Sequence, residues 1–205
     1  PGADARREVL YEIAGVQREA GGVDDAVATY REALDEDPSD PVARTNIEAI
    51  LLEESRWGEY RDFLAEELAK VSDEQRLPAL RKLLTLHTYH APDAIERLPV
   101  AQEILQLDPT DADALDAATG LLDDEDVRAE AFRFLETFGR AQGLDELLDR
   151  VLRAGLASLD EADLDRARVL ADLAHLNHDR LERHADAAEF AAAWVREAPL
   201  DEEPW

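Results

Sequence analysis

Five histidines are the side chains in this sequence whose spacing could support metal chemistry. They form two groups, His87 with His90, and His175 with His178 and His184. A His-x-x-His spacing places two imidazoles on one face of a helix, where they can begin a metal site, and Asp172 could add an oxygen ligand one turn before His175. Both groups fall near predicted helix ends, where imidazole is favourable in the field of the helix dipole, so the pattern favours a structural role.

The acidic residues do not indicate a catalytic pair. The chain has 49 aspartates and glutamates, so neighbouring carboxylates occur throughout it and no pair is informative. The sequence contains no Gly-rich phosphate loop, no G-x-S-x-G and no H-E-x-x-H. We therefore expect no enzymatic activity, no cofactor and no bound metal, and we keep a metal-binding helical protein using His175 and His178 as an alternative.

The net charge of the chain indicates which kinds of partner it can bind. The net charge of −27 over 205 residues repels phosphate backbones and anionic membrane surfaces, so we expect neither nucleic-acid binding nor membrane insertion. The acidity can reflect a GC-rich or halophilic bacterial source, or it can attract a basic partner over long range. A protein or peptide partner is expected to be basic or neutral. The absence of cysteine excludes disulfides and leaves the compartment open, with a soluble cytoplasmic location slightly favoured.

Apolar residues recur with helical spacing almost everywhere, and no stretch alternates as a strand would. The pattern predicts an all-α protein of about eleven helices. Their expected spans are 4–20, 23–36, 41–54, 56–70, 74–90, 93–107, 111–122, 125–139, 143–157, 161–178 and 181–197.

The expected helix boundaries have identifiable chemistry. Asp40 can cap a helix that has Pro41 in its first turn, and Gly21 with Gly22 can adopt the left-handed conformation that ends a helix. Ser72 and Gln75 have the spacing of a capping box.

Two prolines fall within the expected helices. Pro78 is compatible with a first turn. Pro99 lies inside an apolar helical pattern and should kink or restart that helix, because its ring nitrogen cannot donate to the preceding turn.

Internal repetition is clearest between Arg7 and Asp40. This segment carries Leu10, Ile13, Ala14, Gln17, Ala26, Tyr30, Ala33 and Pro38 at fixed intervals. The pattern resembles the tetratricopeptide repeat, W-x2-L-G-x2-Y then A-x3-F then P, with Leu10 at the tryptophan position and Ala14 at the glycine position. Ala14 and Ala26 are expected where two antiparallel helices approach closely, and Tyr30 and Ile13 are expected to fill the space beside them.

The resemblance implies an α-solenoid of stacked antiparallel helical hairpins in a right-handed superhelix. We place degenerate repeats at about 7–40, 41–74, 75–109, 110–142 and 143–199, with a further one starting near 202, and treat residues 1–205 as one domain. Pro199 precedes Trp205 as Pro38 precedes Arg44, and Pro1-Gly2 resembles the end of an earlier repeat. We therefore expect a fragment of a longer array.

In the resembled family, the first helix of each hairpin lines a concave groove that is open to ligands. The candidate partner-binding residues in that register are Tyr11, Arg18, Thr45, Asn46, Arg81, Lys82, Thr85, Tyr89, Arg168, Asp172 and His175. The resemblance predicts a non-enzymatic scaffold that holds a peptide or a partner helix. The alternative is a regulatory or scaffolding segment of a multidomain enzyme, in which a neighbouring domain of the same protein fills the groove.

Overall fold

The computed structural model describes residues 3–159 and 164–197, and these residues contain eleven α-helices and no strand. The helices are α1 Ala3–Glu19, α2 Val23–Glu36, α3 Pro41–Glu53, α4 Trp57–Leu68, α5 Asp73–Thr85, α6 Ala94–Leu107, α7 Ala112–Gly120, α8 Arg128–Gln142, α9 Asp145–Ser158, α10 Leu164–Asp179 and α11 His184–Glu197. A π-helical turn, Leu86–His90, follows α5, and a 3₁₀ turn, Leu121–Asp123, follows α7. The all-α prediction is confirmed. Pro1, Gly2, Pro199 and Trp205, which carry the array hypothesis, lie outside the described residues.

The chain divides into two compact units, Pro1–Pro92 and Asp93–Trp205, called here the N-terminal and C-terminal units. In the N-terminal unit each of the helices α1 to α5 contacts the next one along the chain. In the C-terminal unit the same holds from α6 to α11. Short turns between contacting helices produce hairpins, so each unit is built from helix pairs stacked in sequence order, as expected for a helical repeat.

Small residues form the interior of the first hairpin. Ala14, Ala26 and Ala33 have no exposed surface, and Tyr30 is 5% exposed beside them. Ile13, which was expected to pack there as well, is 44% exposed. One residue step rotates a side chain by about 100° around a helix, so burial of Ala14 against α2 turns Ile13 outward.

In four of the turns within hairpins, the first helix ends at a residue whose backbone is in the left-handed conformation. Gly21, Ser55, Gly143 and Glu182 have φ of 81°, 54°, 66° and 54°. After the first three, a backbone N–H bonds to the carbonyl five residues earlier, at 2.8 to 2.9 Å. This is the Schellman geometry, and it confirms the stop expected at Gly21.

A different turn joins one hairpin to the next. The sequences Asp37-Pro38-Ser39-Asp40 and Asp108-Pro109-Thr110-Asp111 lie between α2 and α3 and between α6 and α7. In each, the first aspartate accepts bonds from the backbone N–H and hydroxyl of the Ser or Thr, and the last aspartate caps the following helix. The turn between hairpins is therefore a repeated chemical unit, and the cap predicted at Asp40 is confirmed.

The turn types also locate the hairpins of the C-terminal unit. Left-handed Gly143 joins α8 to α9, and left-handed Glu182 joins α10 to α11. The sequence pattern instead placed the repeat boundary between residues 142 and 143. In the structure α8 pairs with α9 over residues 128–158, and α10 pairs with α11 over residues 164–197. Helix α7 precedes these two pairs and follows α6 in the chain.

The expectations for Pro78 and Ser72 were wrong, and the helix that contains Pro99 does not restart at that residue. Pro78 and Pro99 each occupy the sixth position of a helix, α5 and α6, and both helices continue through them. The carbonyls that lose a donor belong to Glu74 and Ile95, which are exposed first-turn residues that water can reach. Ser72 precedes α5 without a side-chain capping bond.

Many ion pairs join residues about one repeat apart in sequence. Their separations of 32 to 35 residues match the length of a hairpin. Examples are Arg18–Glu53, Arg31–Glu66, Lys82–Glu48, Arg140–Asp172 and Arg153–Asp186. Exposed pairs of this kind stabilise by only about 0–1 kcal/mol each, but they neutralise acidic groups that would otherwise repel between neighbouring hairpins.

No helix in the described part of the chain combines the length and the apolar character that crossing a bilayer requires.

Candidate functional site

The first helices of the N-terminal hairpins share one surface. Arg18 of α1 pairs with Glu53 of α3, and the Lys82 Nζ of α5 lies 2.6 Å from the Glu48 carboxylate of α3. These pairs require α1, α3 and α5 to lie side by side. We call this surface the first-helix face. Its candidate residues are Tyr11, Arg18, Thr45, Asn46, Arg81, Lys82, Thr85 and Tyr89.

Tyr11 is fixed at one edge of the first-helix face. Its Oη donates to Asp40, and its ring stacks on Tyr30 with centroids 6.4 Å apart. Burial, followed by the hydrogen bond to the Asp40 carboxylate, raises the pKa of Tyr11 to about 12. The hydroxyl is thus occupied within the protein, and Tyr11 offers a partner its ring rather than a free donor.

Several polar candidates on this face bond to their own helices. The Asn46 Nδ2 donates to the Val42 carbonyl at 2.9 Å, and the Thr85 Oγ1 donates to the Arg81 carbonyl at 2.9 Å. Thr45 is exposed. Arg18 and Lys82 engage carboxylates of α3, so a partner's acidic group would have to compete with Glu53 and Glu48 for them.

Tyr89 is the most exposed large apolar side chain among the described residues, at 76%. It lies in the π-helical turn after α5, which is anchored by buried Leu86 and His87. In the same turn, His90 stacks on Trp57 with centroids 4.3 Å apart and an interplanar angle of 22°. π-Helical turns occur frequently at functional sites, and this one presents an aromatic ring to solvent at the end of the first-helix face.

The pH dependence of stability reports on the buried tyrosines of this unit. Burial, with a contribution from Glu48, raises the pKa of Tyr60 to about 12, as in Tyr11. Such a tyrosine ionises near pH 10 in the unfolded protein and near pH 12 in the folded protein. Between these pH values its ionisation favours the unfolded state, so the free energy of unfolding falls as the pH rises. We expect the loss of stability caused by tyrosine ionisation to be absent below pH 9 and to develop between pH 10 and 12, where urea midpoints fall and Tyr60 contributes about 2 kcal/mol.

Tyr60→Phe removes that titration. Its urea midpoint should fall less steeply above pH 10 than that of the wild type, and identical slopes would contradict a raised Tyr60 pKa.

In the C-terminal unit, the candidates Arg168 and Asp172 lie in an ion network between α8 and α10. Arg168 contacts Glu136 at 2.7 Å and Asp172 at 3.2 Å, and Arg140 contacts the same two carboxylates at 3.0 and 2.7 Å. Burial acts to raise the pKa of Glu136, but the hydrogen bonds from Arg168 and Arg140 outweigh it, and the net pKa is lowered. These charges hold two first helices together.

The second histidine group is a surface cluster. The His178 Nδ1 lies 2.8 Å from Asp179, the rings of His178 and His184 are 5.4 Å apart, and His175 meets Trp194 edge-on at 6.1 Å. Within residues 3–159 and 164–197, no three histidine or acidic side chains converge on a position that could hold a metal ion. The two histidines of the first group, His87 and His90, lie in different environments. His87 is 2% exposed, whereas His90 is exposed and stacks on Trp57.

A cavity of about 670 Å³ lies between α8, α9 and α10, and sequence reasoning did not identify it. Its lining includes Phe132, Arg133 and Gly155. A Cβ at position 155 would lie 2.2 Å from the Phe132 ring, so only glycine accommodates the ring there. The glycine within the apolar pattern of α9 is the one sequence signal that could have pointed to this close approach.

Comparisons with known proteins give low similarity over nearly the whole chain. No family model and no curated protein matches the sequence. Three solved structures cover almost all of it. MamA from Desulfovibrio magneticus is 13% identical, with 96% of this chain and 97% of that chain covered and a TM-score of 0.37. PilF from Pseudomonas aeruginosa is 18% identical, with 98% and 96% covered and a TM-score of 0.38. A tetratricopeptide repeat protein from Parabacteroides merdae is 15% identical, with 97% and 80% covered and a TM-score of 0.39. These values are too low to transfer a function, which has to be argued from the residues themselves.

Proposed function

We propose that this chain is a non-enzymatic helical-repeat scaffold whose first-helix face holds a peptide or a partner helix. The observation that carries the proposal is the exposure of Tyr89, 76%, beside Thr85 and the Lys82–Glu48 pair on one helix edge. Exposed aromatic rings with polar neighbours are the usual anchors of protein interfaces, whereas catalysis would require convergent groups around a cleft.

The net negative charge of the chain favours a basic or neutral partner over an acidic one. A net charge of −27 gives any approaching basic segment a long-range attraction, which raises its association rate. Glu48 and Glu53 on α3 are already paired, so they hold the face in shape, and the surrounding acidic surface supplies the attraction. The partner is therefore a basic or neutral segment with an apolar side chain that packs on Tyr89.

The test begins with affinity capture from the source organism, using wild-type protein and Tyr89→Ala in parallel, with mass spectrometry as the readout. A peptide from the captured protein is then titrated calorimetrically. We expect Tyr89→Ala to weaken binding about 10-fold or more, which is typical for an aromatic anchor.

Ile95→Ala is the matched control, because Ile95 is 67% exposed and lies in α6, outside the first-helix face. It should bind as the wild type does. Equal binding by Tyr89→Ala would remove the anchor role, and affinity that does not change between 50 and 500 mM salt would contradict the basic partner.

A further inference from the structure

The cavity between α8, α9 and α10, called here the α8–α10 cavity, has an apolar interior. Its volume of about 670 Å³ lies within the range of about 300–1,000 Å³ that is usual for sites of small molecules. The uncharged residues that line it are Leu122, Ala129, Phe132, Ala154, Gly155, Ser158, Leu159 and Val169. Ser158 is the one polar member of this set, and its Oγ already donates to the Gly155 carbonyl at 2.8 Å. The interior therefore suits a ligand body without polar groups.

Packing against the core holds the walls of the cavity in place. Val169 has no exposed surface and belongs to the same buried cluster as Leu148 and Leu152. The Phe132 ring packs against this cluster and lies so close to Gly155 that a Cβ there would collide with it. A ligand would thus meet a preformed surface, which reduces the cost of ordering the site when the ligand binds.

The acidic side chains of the lining are mostly neutralised within the protein. Glu136 contacts Arg168 at 2.7 Å and Arg140 at 3.0 Å. Asp165 lies 3.8 Å from Arg168. Glu125 is the third acid of the lining, and it is exposed, so water and salt screen its charge. Repulsion of an anion by the cavity wall is therefore small.

Two arginines of the lining, Arg128 and Arg133, form no ion pair with any residue that the structure describes. Arg128 donates to the Leu122 carbonyl at 2.7 Å, and the Arg133 Nε donates to the Ala129 carbonyl at 3.2 Å. The chain has 49 acidic residues against 22 basic ones, so an arginine without an acidic partner is unexpected in it. A guanidinium has several N–H donors in a planar fork that matches a carboxylate, and most of these donors remain available here.

We propose that the α8–α10 cavity binds a small amphiphilic carboxylate, with an unbranched alkyl chain inside the cavity and the carboxylate at Arg133 and Arg128. Burial of the chain supplies most of the affinity, and the arginines select the charge of the head group. The net charge of −27 repels anions at long range and slows their association, but it does not weaken the apolar contacts inside the cavity. This proposal is independent of the first-helix face and its partner.

A series of ligands tests the two parts of the proposed ligand separately. Hexanoate, octanoate, decanoate and 1-octanol are each titrated calorimetrically into the wild-type protein, below the concentrations at which they form micelles. We expect affinity to rise about 4-fold for each added methylene, as for an alkyl chain that leaves water. We expect 1-octanol to bind about 5-fold more weakly than octanoate, because it lacks the charge that Arg133 and Arg128 recognise. The proposal is overturned if the three carboxylates bind equally, if none of them binds, or if 1-octanol binds as tightly as octanoate.

Arg133→Gln tests the recognition of the head group. It should weaken octanoate binding about 5-fold and leave 1-octanol binding unchanged. Arg150→Gln is the matched control, because Arg150 is an exposed arginine of α9 that also forms no ion pair with a described residue but does not line this cavity. It removes the same charge and should bind octanoate as the wild type does. Equal weakening by both variants would show that only net charge matters and would overturn the proposed head-group site.

Ala154→Phe tests the location of the alkyl chain. Ala154 is a half-buried residue of the lining, and a phenylalanine there should fill the cavity and weaken decanoate binding at least about 10-fold. Ala157→Phe is its control, because Ala157 is exposed on the same helix and does not line the cavity. Circular dichroism establishes that every variant is folded. Decanoate that binds Ala154→Phe as tightly as the wild type would overturn the proposal, and the result for Tyr89→Ala would leave each of these outcomes unchanged.

Discussion

Asp149→Ala is expected to lower the free energy of unfolding of the C-terminal unit by about 3 kcal/mol. Asp149 is 6% exposed on α9, and its carboxylate accepts from the Asn177 Nδ2 at 2.6 Å and from the Arg153 Nε at 2.8 Å. Arg183 lies 3.4 Å away. Asn177 on α10 has no exposed surface, so truncation of Asp149 leaves a buried amide donor without its closest acceptor.

Glu146→Ala is the matched control for Asp149→Ala. Glu146 lies one turn earlier on α9 and also pairs with Arg183, at 2.7 Å, but its side chain is 70% exposed. We expect a loss of no more than about 0.5 kcal/mol. Urea unfolding followed by circular dichroism measures both variants. Similar losses for the two would show that burial of the Asp149 network contributes nothing beyond a surface ion pair.

Asp40→Ala is expected to lower the free energy of unfolding of the N-terminal unit by about 3 kcal/mol. Asp40 is 1% exposed, and its Oδ1 accepts the backbone N–H groups of Val42 and Ala43 at 2.8 and 3.1 Å. Its other oxygen accepts the Tyr11 hydroxyl from the preceding hairpin. One substitution therefore removes a helix cap and a bond between two hairpins.

Asp93→Ala separates these two contributions. Asp93 caps α6 in the same way, through the N–H groups of Ile95 and Glu96 at 3.1 Å, and the loss of a cap alone should lower stability by about 1 kcal/mol. Tyr11→Phe should account for most of the remainder lost in Asp40→Ala. If Asp40→Ala is no more destabilising than Asp93→Ala, the turn between hairpins acts only as a cap.

Local sequence determined the helices and several of their ends. Helical periodicity depends on which residues repeat along one stretch, so the pattern predicted eleven helices without knowledge of their packing. The Asp40 cap and the Gly21 stop were predictable for the same reason, because each involves groups within a few residues of one another. The burial of Ala14 and Ala26 followed from their size at the hairpin crossing.

Packing determined which of the local sequence signals for helix ends took effect. Ser72 has the spacing of a capping box but forms no side-chain cap, and Pro78 and Pro99 lie within intact helices whose unpaired carbonyls are at exposed positions. Ser55 and Glu182 adopt the left-handed conformation although neither is a glycine, so the sequence did not indicate these two turns. Only some of the turns within hairpins could therefore be predicted from the sequence.

The role of each candidate side chain depended on residues far away in the sequence. Arg168 and Asp172 were predicted from register alone, but whether they meet a partner or Glu136 and Arg140 depends on the separation of α8 and α10. Ile13 was expected to pack beside Ala14 inside the hairpin, but it is 44% exposed, because the direction of its side chain depends on how α1 packs against α2. The sequence by itself determined the helices, because these follow from neighbouring residues. Only the tertiary structure decided how the helices pair, which charges are paired and which apolar side chains remain exposed, because those depend on contacts between residues about 30 positions apart.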